Sequence, residues 1–359
     1  MRVLHVAEAL GGGLAVALEG YVAVTPDLTH FVLAARRPEA NTGDSIAELA
    51  TLIPLPAGSH RRRVSAVLAA IDSVRPHIVH GHSSFGGAYA RIAAGIRGVP
   101  VVYTPHCYAF ERRDTSTAAR AMYAIVETAL GTFTNAVVAV SPREADLARR
   151  LRQASIIEYA PHVAPPRVAQ PRRHPGATPL CVAMAGRICP QKDPSFFGEA
   201  ARAAARIAPG ATSWQWIGGG DSALESTLRA AGVAVTGWSS REEALKRLTD
   251  SHLYAHSAAW EGAPLTLLEA AALGLPLVVR TIDATASLGL GDGRTPVELA
   301  QAVLALQEQS NYDEKAAAAH QWAGRFDSAS QRAALISAYS RVAYRRDEGV
   351  VASRSTTCA

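Results

Sequence analysis

A chain of 359 residues, 48% of them hydrophobic, is long enough for two domains that each bury a core, so no metal or disulfide staple is needed. Its four cysteines, Cys107, Cys181, Cys189 and Cys358, show no paired spacing, which fits a reducing cytoplasm and argues against zinc. The net charge of +5 is 36 basic against 31 acidic residues, too mild an excess for a nucleic-acid binder; a solvated, arginine-rich surface or a patch touching the cytoplasmic membrane face accounts for it.

The first residues are interrupted by His5 and Glu8 and form a strand rather than a signal peptide. No apolar run reaches the ~18 residues of a membrane span. Apolar runs at 3–9, 31–35, 52–55, 78–80, 99–104, 136–140 and 156–159 alternate with helical patterns such as Val64, Leu68, Ile71 and Val74. Repeated β-α of this kind predicts a mostly parallel sheet covered by helices on both faces. Ligands of such sheets bind outside the carboxyl ends of the strands, where Gly11-Gly12-Gly13, His80-Gly81-His82 and His106 fall. From 160 to 179 the chain turns rich in proline and arginine, the signature of a linker. The β-α alternation restarts with runs at 180–185, 214–217, 233–236, 253–256 and 277–279. The predicted division is therefore a first domain over 1–163, a linker over 164–179, a second domain over 180–325, a long helix over 326–346 and a disordered tail over 347–359.

The most informative stretch is Trp260-Glu261-Gly262-Ala263-Pro264-Leu265-Thr266-Leu267-Leu268-Glu269-Ala270. Pro264 suits a first helical position and Gly274 with Pro276 is a stop signal, so a short buried helix is expected over 264–273. Glu261 precedes it and Glu269 lies in its second turn. The free N–H groups and positive dipole end between the two carboxylates suit an anion such as phosphate. Arg187 and Lys192, in Gly186-Arg187-Ile188-Cys189-Pro190-Gln191-Lys192, follow a strand and are spaced so that one loop can aim both at a diphosphate. Lys192 is one of only three lysines, with Lys246 and Lys315. The chain has no Asp-x-Asp, so a metal held by that device is not expected.

Glu261 and Glu269, with the Arg187–Lys192 loop and the Gly11–Gly13 loop, resemble the two-glutamate motif and its companions in retaining glycosyltransferases of family 4. The resemblance covers nearly the whole chain and is strongest over roughly 180–280. It implies the GT-B plan, two doubly wound Rossmann-like α/β domains facing across a cleft, with the 326–346 helix crossing back onto the first domain. It also implies a nucleoside diphosphate sugar, UDP-based, as donor substrate, with no cofactor and no metal. In the roles so implied, Arg187 and Lys192 hold the diphosphate, Glu261 the sugar hydroxyls and Glu269 the ribose. His106, in Tyr103-Thr104-Pro105-His106, contacts the sugar, and backbone near Trp238 faces the base. Gly12, Gly13, Gly262, Leu265 and Thr266 complete the donor contacts.

Arg187 and Lys192 could be ordinary surface charge on an exposed loop, and His106 could be structural. Gly11–Gly13 lacks the Gly-x-Gly-x-x-Gly spacing, since Val16 holds the last place, and could be only a tight strand-to-helix turn. Trp238 could cap the core, and Arg61-Arg62-Arg63 could be a solvated face or touch anionic lipid. His80 and His82 could hold a metal, but no third ligand is apparent, so structural or acceptor-side roles are expected. Gly81-His82-Ser83-Ser84-Phe85 imitates a hydrolase nucleophile elbow and fails at Phe85, where glycine is required.

Three departures from the family pattern stand out. After Val279 the chain runs quickly toward a helix at Thr295 without paired glycines or a further acid; the linker lacks the usual asparagine; and the glycine loop is followed by apolar Leu14-Ala15-Val16-Ala17. The expected activity is sugar transfer to an acceptor hydroxyl, in cell-surface polysaccharide, glycolipid or natural-product glycoside synthesis. The alternatives are a nucleotide-sugar epimerase on the same plan and a non-catalytic nucleotide-sugar binding module.

Overall fold

The computed structural model of the protein describes residues 1–36, 44–176 and 179–355. It divides into two compact units, one of Met1–Glu111, Thr115–His162 and the chain from Ser328, the other of Arg112–Asp114 and Val163–Asp327.

Unit 1 is built on β1 (Arg2–Leu10), β2 (Thr29–Arg36), β3 (Thr51–Pro54), β4 (Ile78–His82), β5 (Val101–Thr104), β6 (Ala136–Ala139) and β7 (Ile156–Tyr159). Its sheet has the order β3-β2-β1-β4-β5-β6-β7, and every neighbouring pair is parallel. Strands β4, β5 and β6 are buried at every position, as the continuous apolar runs of a sheet covered on both faces require. On one face Leu4, Val6 and Val79 pack against the helices His60–Val74 and Ser84–Arg97. On the other, Val3, Ile78 and Val102 pack against Tyr21 of the helix Gly13–Ala23 and against Leu335, Tyr339 and Val342 of the helix Ser328–Ser355.

Unit 2 holds β8 (Leu180–Ala185), β9 (Thr212–Ile217), β10 (Ala234–Val235), β11 (Leu253–His256) and β12 (Leu277–Val279) in the order β10-β9-β8-β11-β12, again all parallel. Trp214 and Trp216 meet Phe197 edge to face in its core. All twelve apolar runs singled out in the sequence are strands.

Several boundaries differ from expectation. The helix expected at 264–273 spans Leu265–Ala272, because Pro264 has φ −73° and ψ 111°, an extended backbone that places it at the N-cap rather than inside the first turn. Gly274 ends the helix at φ 78°, where a side chain would be strained. The proline-rich segment is laid along unit 2: the Val168 N–H donates to Ala272 O and the Arg172 N–H to Gly274 O, each at 2.9 Å. A short helix, Asp283–Ser287, occupies the stretch expected to run straight to Thr295. The last helix continues to Ser355, past the expected stop at 346, because no proline interrupts it. Residues 177–178 of the expected linker and 356–359 of the expected tail, Cys358 included, lie outside the described residues.

Candidate functional site

In unit 2 the loop after β8 is held flat by glycines. Gly186 has φ 144°. A Cβ on Gly218 would stand 2.3 Å from Gly186 O, and one on Gly220 would stand 2.1 Å from Ile188 O, so only glycine lets the 218–220 strand end lie on the Arg187 loop. The Ile188 N–H donates to Gly219 O at 2.9 Å, and the Asp221 N–H to Ile188 O at 3.0 Å. From the other side, Ser257 Oγ donates to Lys192 O at 2.7 Å and the Ala259 N–H to Gln191 O at 2.9 Å. The loop is thus pinned between β9 and the end of β11, and its side chains have fixed starting points.

That pinning brings Lys192 Nζ to 2.5 Å from Glu261 Oε1, with Gln191 Nε2 donating to Glu261 Oε2 at 3.3 Å. Glu261 is buried. Burial alone lowers the proton affinity of the Lys192 ammonium, but the charge and hydrogen bond of Glu261 outweigh it and the net shift is upward. Lys192 therefore keeps its charge beside Glu261. His256 Nε2 lies 3.7 Å from the same Glu261 oxygen, and neither ring nitrogen has a partner among the described residues. Burial, with Lys192 and Arg280 nearby, holds His256 neutral, its pKa well below the usual range.

Glu261 leads into the helix Leu265–Ala272, whose N-terminus has no side-chain cap. Gly262 is buried there, and Thr266 Oγ1 accepts from the Tyr254 hydroxyl at 2.8 Å. Leu265 stands beside it at the first helical position. One turn on, Glu269 accepts from Arg241 at 2.7 Å; burial raises its pKa, against the pull of Arg241 and Lys192. Arg187 is exposed and carries no ion pair among the described residues, which leaves its guanidinium available. Trp238 is 59% exposed and lies across Gly219, where a Cβ would come within 2.9 Å of its ring, so it does not cap the core.

Sequence reasoning missed Arg241, Gln191, His256 and Arg280. Arg241 opens a helix of mixed charge that looks like a solvated face. Arg280 donates to Asp193 at 2.6 Å and to Ser257 O at 3.0 Å, over the ring of Phe196. It occupies the region after β12 in which the family pattern calls for a further acid.

In unit 1 Gly12 turns from β1 into its helix at φ 55°, a backbone that favours glycine, and both Gly12 and Gly13 are exposed. His106 follows β5 at φ 50° and Cys107 at φ 87°, two successive side-chain-bearing residues in the left-handed region. The turn is held by Glu144, whose Oε1 accepts from the Cys107 N–H at 2.5 Å and Oε2 from the Val140 N–H at 3.1 Å. Burial pushes Glu144 up to about 7, against those two hydrogen bonds.

A third histidine, missed in the sequence, joins His80 and His82. The parallel register pairs His5 with His80 and Ala7 with His82, so the period of two puts His5, His80 and His82 on one sheet face. The three could bring ring nitrogens to one ion, all within 4.8 Å. Those nitrogens are instead hydrogen-bonded: His80 to Tyr339 Oη and Thr104 Oγ1 at 2.8 Å each, His5 to His82 and His30 at 3.0 Å each, and His82 also to His106 at 3.1 Å.

Residues 12–163 match the family described as glycosyl transferase 4-like domain, and residues 179–309 match glycosyl transferases group 1. The chain is 27% identical over 230 residues to the Escherichia coli UDP-Gal:alpha-D-GlcNAc-diphosphoundecaprenol alpha-1,3-galactosyltransferase, across 57% of this chain and 58% of that one. The match thus spans less than two thirds of that relative's length. Among solved structures, Anabaena HepE in complex with UDP and glucose superposes with a TM-score of 0.74 at 16% identity, covering 95% of this chain and 100% of that one. The sucrose-phosphate synthase of Thermosynechococcus elongatus gives 0.71 at 15%, covering 100% and 99%. What is shared with these two is the fold, GT-B, with two parallel-sheet Rossmann-like domains.

Proposed function

Since this chain belongs to the family 4-like glycosyltransferases, we propose that it moves a sugar from a UDP-sugar to an acceptor hydroxyl with retained anomeric configuration. The observation that carries this reading is the Lys192–Glu261 contact at the uncapped N-terminus of the helix Leu265–Ala272, with Arg187 carrying no ion pair among the described residues on the same pinned loop. Breaking the sugar–phosphate bond leaves negative charge on the diphosphate. Lys192, Arg187 and the helix end offer that charge fixed positive partners, and fixed partners need no reorganisation as the charge develops. A bound diphosphate competes with Glu261 for Lys192, which frees the Glu261 carboxylate to accept from sugar hydroxyls. Glu269 is assigned to the ribose and His106 to the sugar, as the family resemblance implies.

The Escherichia coli relative makes UDP-galactose the first donor to try and a lipid diphosphate-linked GlcNAc the first acceptor. Charge stabilisation through Arg187, Lys192 and the helix end needs no metal, so UDP release is expected to continue in excess EDTA. Abolition by EDTA with recovery on adding magnesium or manganese would sink that part of the mechanism.

A lipid acceptor suits a protein that touches the cytoplasmic membrane face. Ile92 and Ile96 on the helix Ser84–Arg97, and Met122, Ile125 and Val126 on the helix Thr117–Gly131, are all exposed. The charged pair Arg91–Glu127, 2.9 Å apart, is buried between these two helices, while those apolar side chains are exposed. His60 stacks on Phe85, which is exposed on the first of these helices, and the neighbouring Arg61 and Arg62 are exposed as well. Co-sedimentation with anionic phosphatidylglycerol vesicles is expected, and Ile96→Glu with Ile125→Glu should reduce it by roughly tenfold. Equal sedimentation of the double variant removes the patch from consideration.

A further inference from the structure

Thr25 Oγ1 gives its proton to Tyr21 O at 2.7 Å, so toward His30 it can only accept, as can Thr25 O; both oxygens lie 3.1 Å from His30 Nε2. His30 Nε2 must therefore carry the hydrogen, which in a neutral ring leaves Nδ1 as acceptor. His5 Nε2 then donates to His30 Nδ1 at 3.0 Å, His82 Nε2 donates to His5 Nδ1 at 3.0 Å, and His106 Nε2 donates to His82 Nδ1 at 3.1 Å. One backbone carbonyl thereby sets four tautomers in a row. The direction is consistent at every link, because each ring uses one nitrogen as donor and the other as acceptor. His5 and His82 are fully buried and His30 nearly so, while His106 at the end of the row is partly exposed. No protein atom among the described residues hydrogen-bonds to His106 Nδ1.

We propose that His30, His5 and His82 are positioning residues that hold His106 as a neutral acceptor, its Nδ1 lone pair turned outward, so that the ligand group it meets is a hydroxyl and not a phosphate oxygen. A phosphate oxygen offers no hydrogen and would face the lone pair. A sugar hydroxyl donates into it. Burial of the rings disfavours an imidazolium anywhere along the row and keeps the acceptor state in place. The identity of the hydroxyl as a sugar's rests on the transferase reading; the tautomer row does not.

The test is the nitrogen spectrum of the full chain labelled with 15N-histidine, assigned residue by residue at neutral pH. Expected are four neutral rings with hydrogen on Nε2 at His5, His30, His82 and His106. Hydrogen on Nδ1 of any of them, a charged ring, or metal-shifted nitrogens at His5 and His82 that a chelator reverses would overturn the row. Two variants separate direction from packing. His30→Gln keeps a donor toward Thr25 O and an acceptor toward His5, so it should keep the His106 tautomer and the rate of UDP release. His30→Phe should give mixed tautomers at His106 and a kcat lower by roughly tenfold, one hydrogen bond's effect, with donor KM little changed. Equal behaviour of the two variants contradicts the proposal. If the wild-type spectrum is as expected but no UDP-sugar is turned over, the row stands and the transferase reading fails.

Discussion

Acidification to about pH 5.5 is expected to bring unit 1 close to unfolding, because its interior buries neutral histidines that water would protonate. Burial holds His80 near 3 and His162 near 4, and pushes His5 and His82 well below the ordinary histidine range. Below about pH 6.5 the unfolded chain binds protons that the native state refuses, so stability present above that pH is lost as pH falls. The loss is about 1.4 kcal/mol per group per pH unit, or about 6 kcal/mol for these four at pH 5.5. That approaches the whole stability of an ordinary domain, about 5–15 kcal/mol. Glu144 acts in the opposite sense, since its raised pKa stabilises at low pH an effect that is lost as pH rises through about 7, but it is one group against four. Urea denaturation followed by circular dichroism from pH 7.5 to 5.5 measures the sum. Midpoints that stay flat over that range would show that these histidines are not buried neutral.

The second large effect concerns the carboxylates of unit 2. With Glu269 on the ribose, as proposed, Glu269→Gln should weaken a contact to a part of the donor that does not react, so ground state and transition state should suffer alike. A hydrogen bond to a charged group is worth about 1.5–3 kcal/mol, which predicts a donor KM and a UDP Kd raised by roughly ten- to a hundredfold. Glu261→Gln should lower kcat instead, with UDP binding nearly unchanged, because in the proposed role Glu261 faces the sugar ring, which gains positive charge as the bond breaks. Lys192→Met should lose both, with kcat down by roughly 10²–10³ as for other fixed partners of developing charge. It also strands Glu261, and removing one partner of a buried pair costs about 3–5 kcal/mol of stability, so rates are compared at a temperature where each variant is folded. Calorimetric UDP affinity beside initial rates decides: normal UDP binding in Glu269→Gln and weakened binding in Glu261→Gln would reverse the two roles.

Fold class was legible because it depends on period alone. Strands buried on both faces need continuous apolar runs, and this chain spells twelve of them between helical patterns. Pairings between distant segments were not legible. Arg241 reaches Glu269, and His5 reaches His82, through sheet order and register that no local pattern states. His5 had one usable signal, its place in a strand that could neighbour His80-Gly81-His82, but only the β1–β4 register puts it on their face. The glycines at 218 and 220 were visible and their reason was not, since the contact they permit is with backbone some thirty residues earlier. Pro264 fits either side of a helix start, and ψ alone places it outside.

Sugar transfer from a UDP-linked donor is tested most directly by incubating the full chain with UDP-galactose, UDP-glucose and UDP-GlcNAc, with and without a lipid diphosphate-linked acceptor, and measuring UDP together with the anomeric configuration of any product. The expected result is UDP release from at least one donor that rises with acceptor, and a product with the donor's α configuration. Interconversion of the UDP-sugars without acceptor, as an epimerase would give, or UDP binding with no release from any donor, as a silent binding module would give, contradicts it.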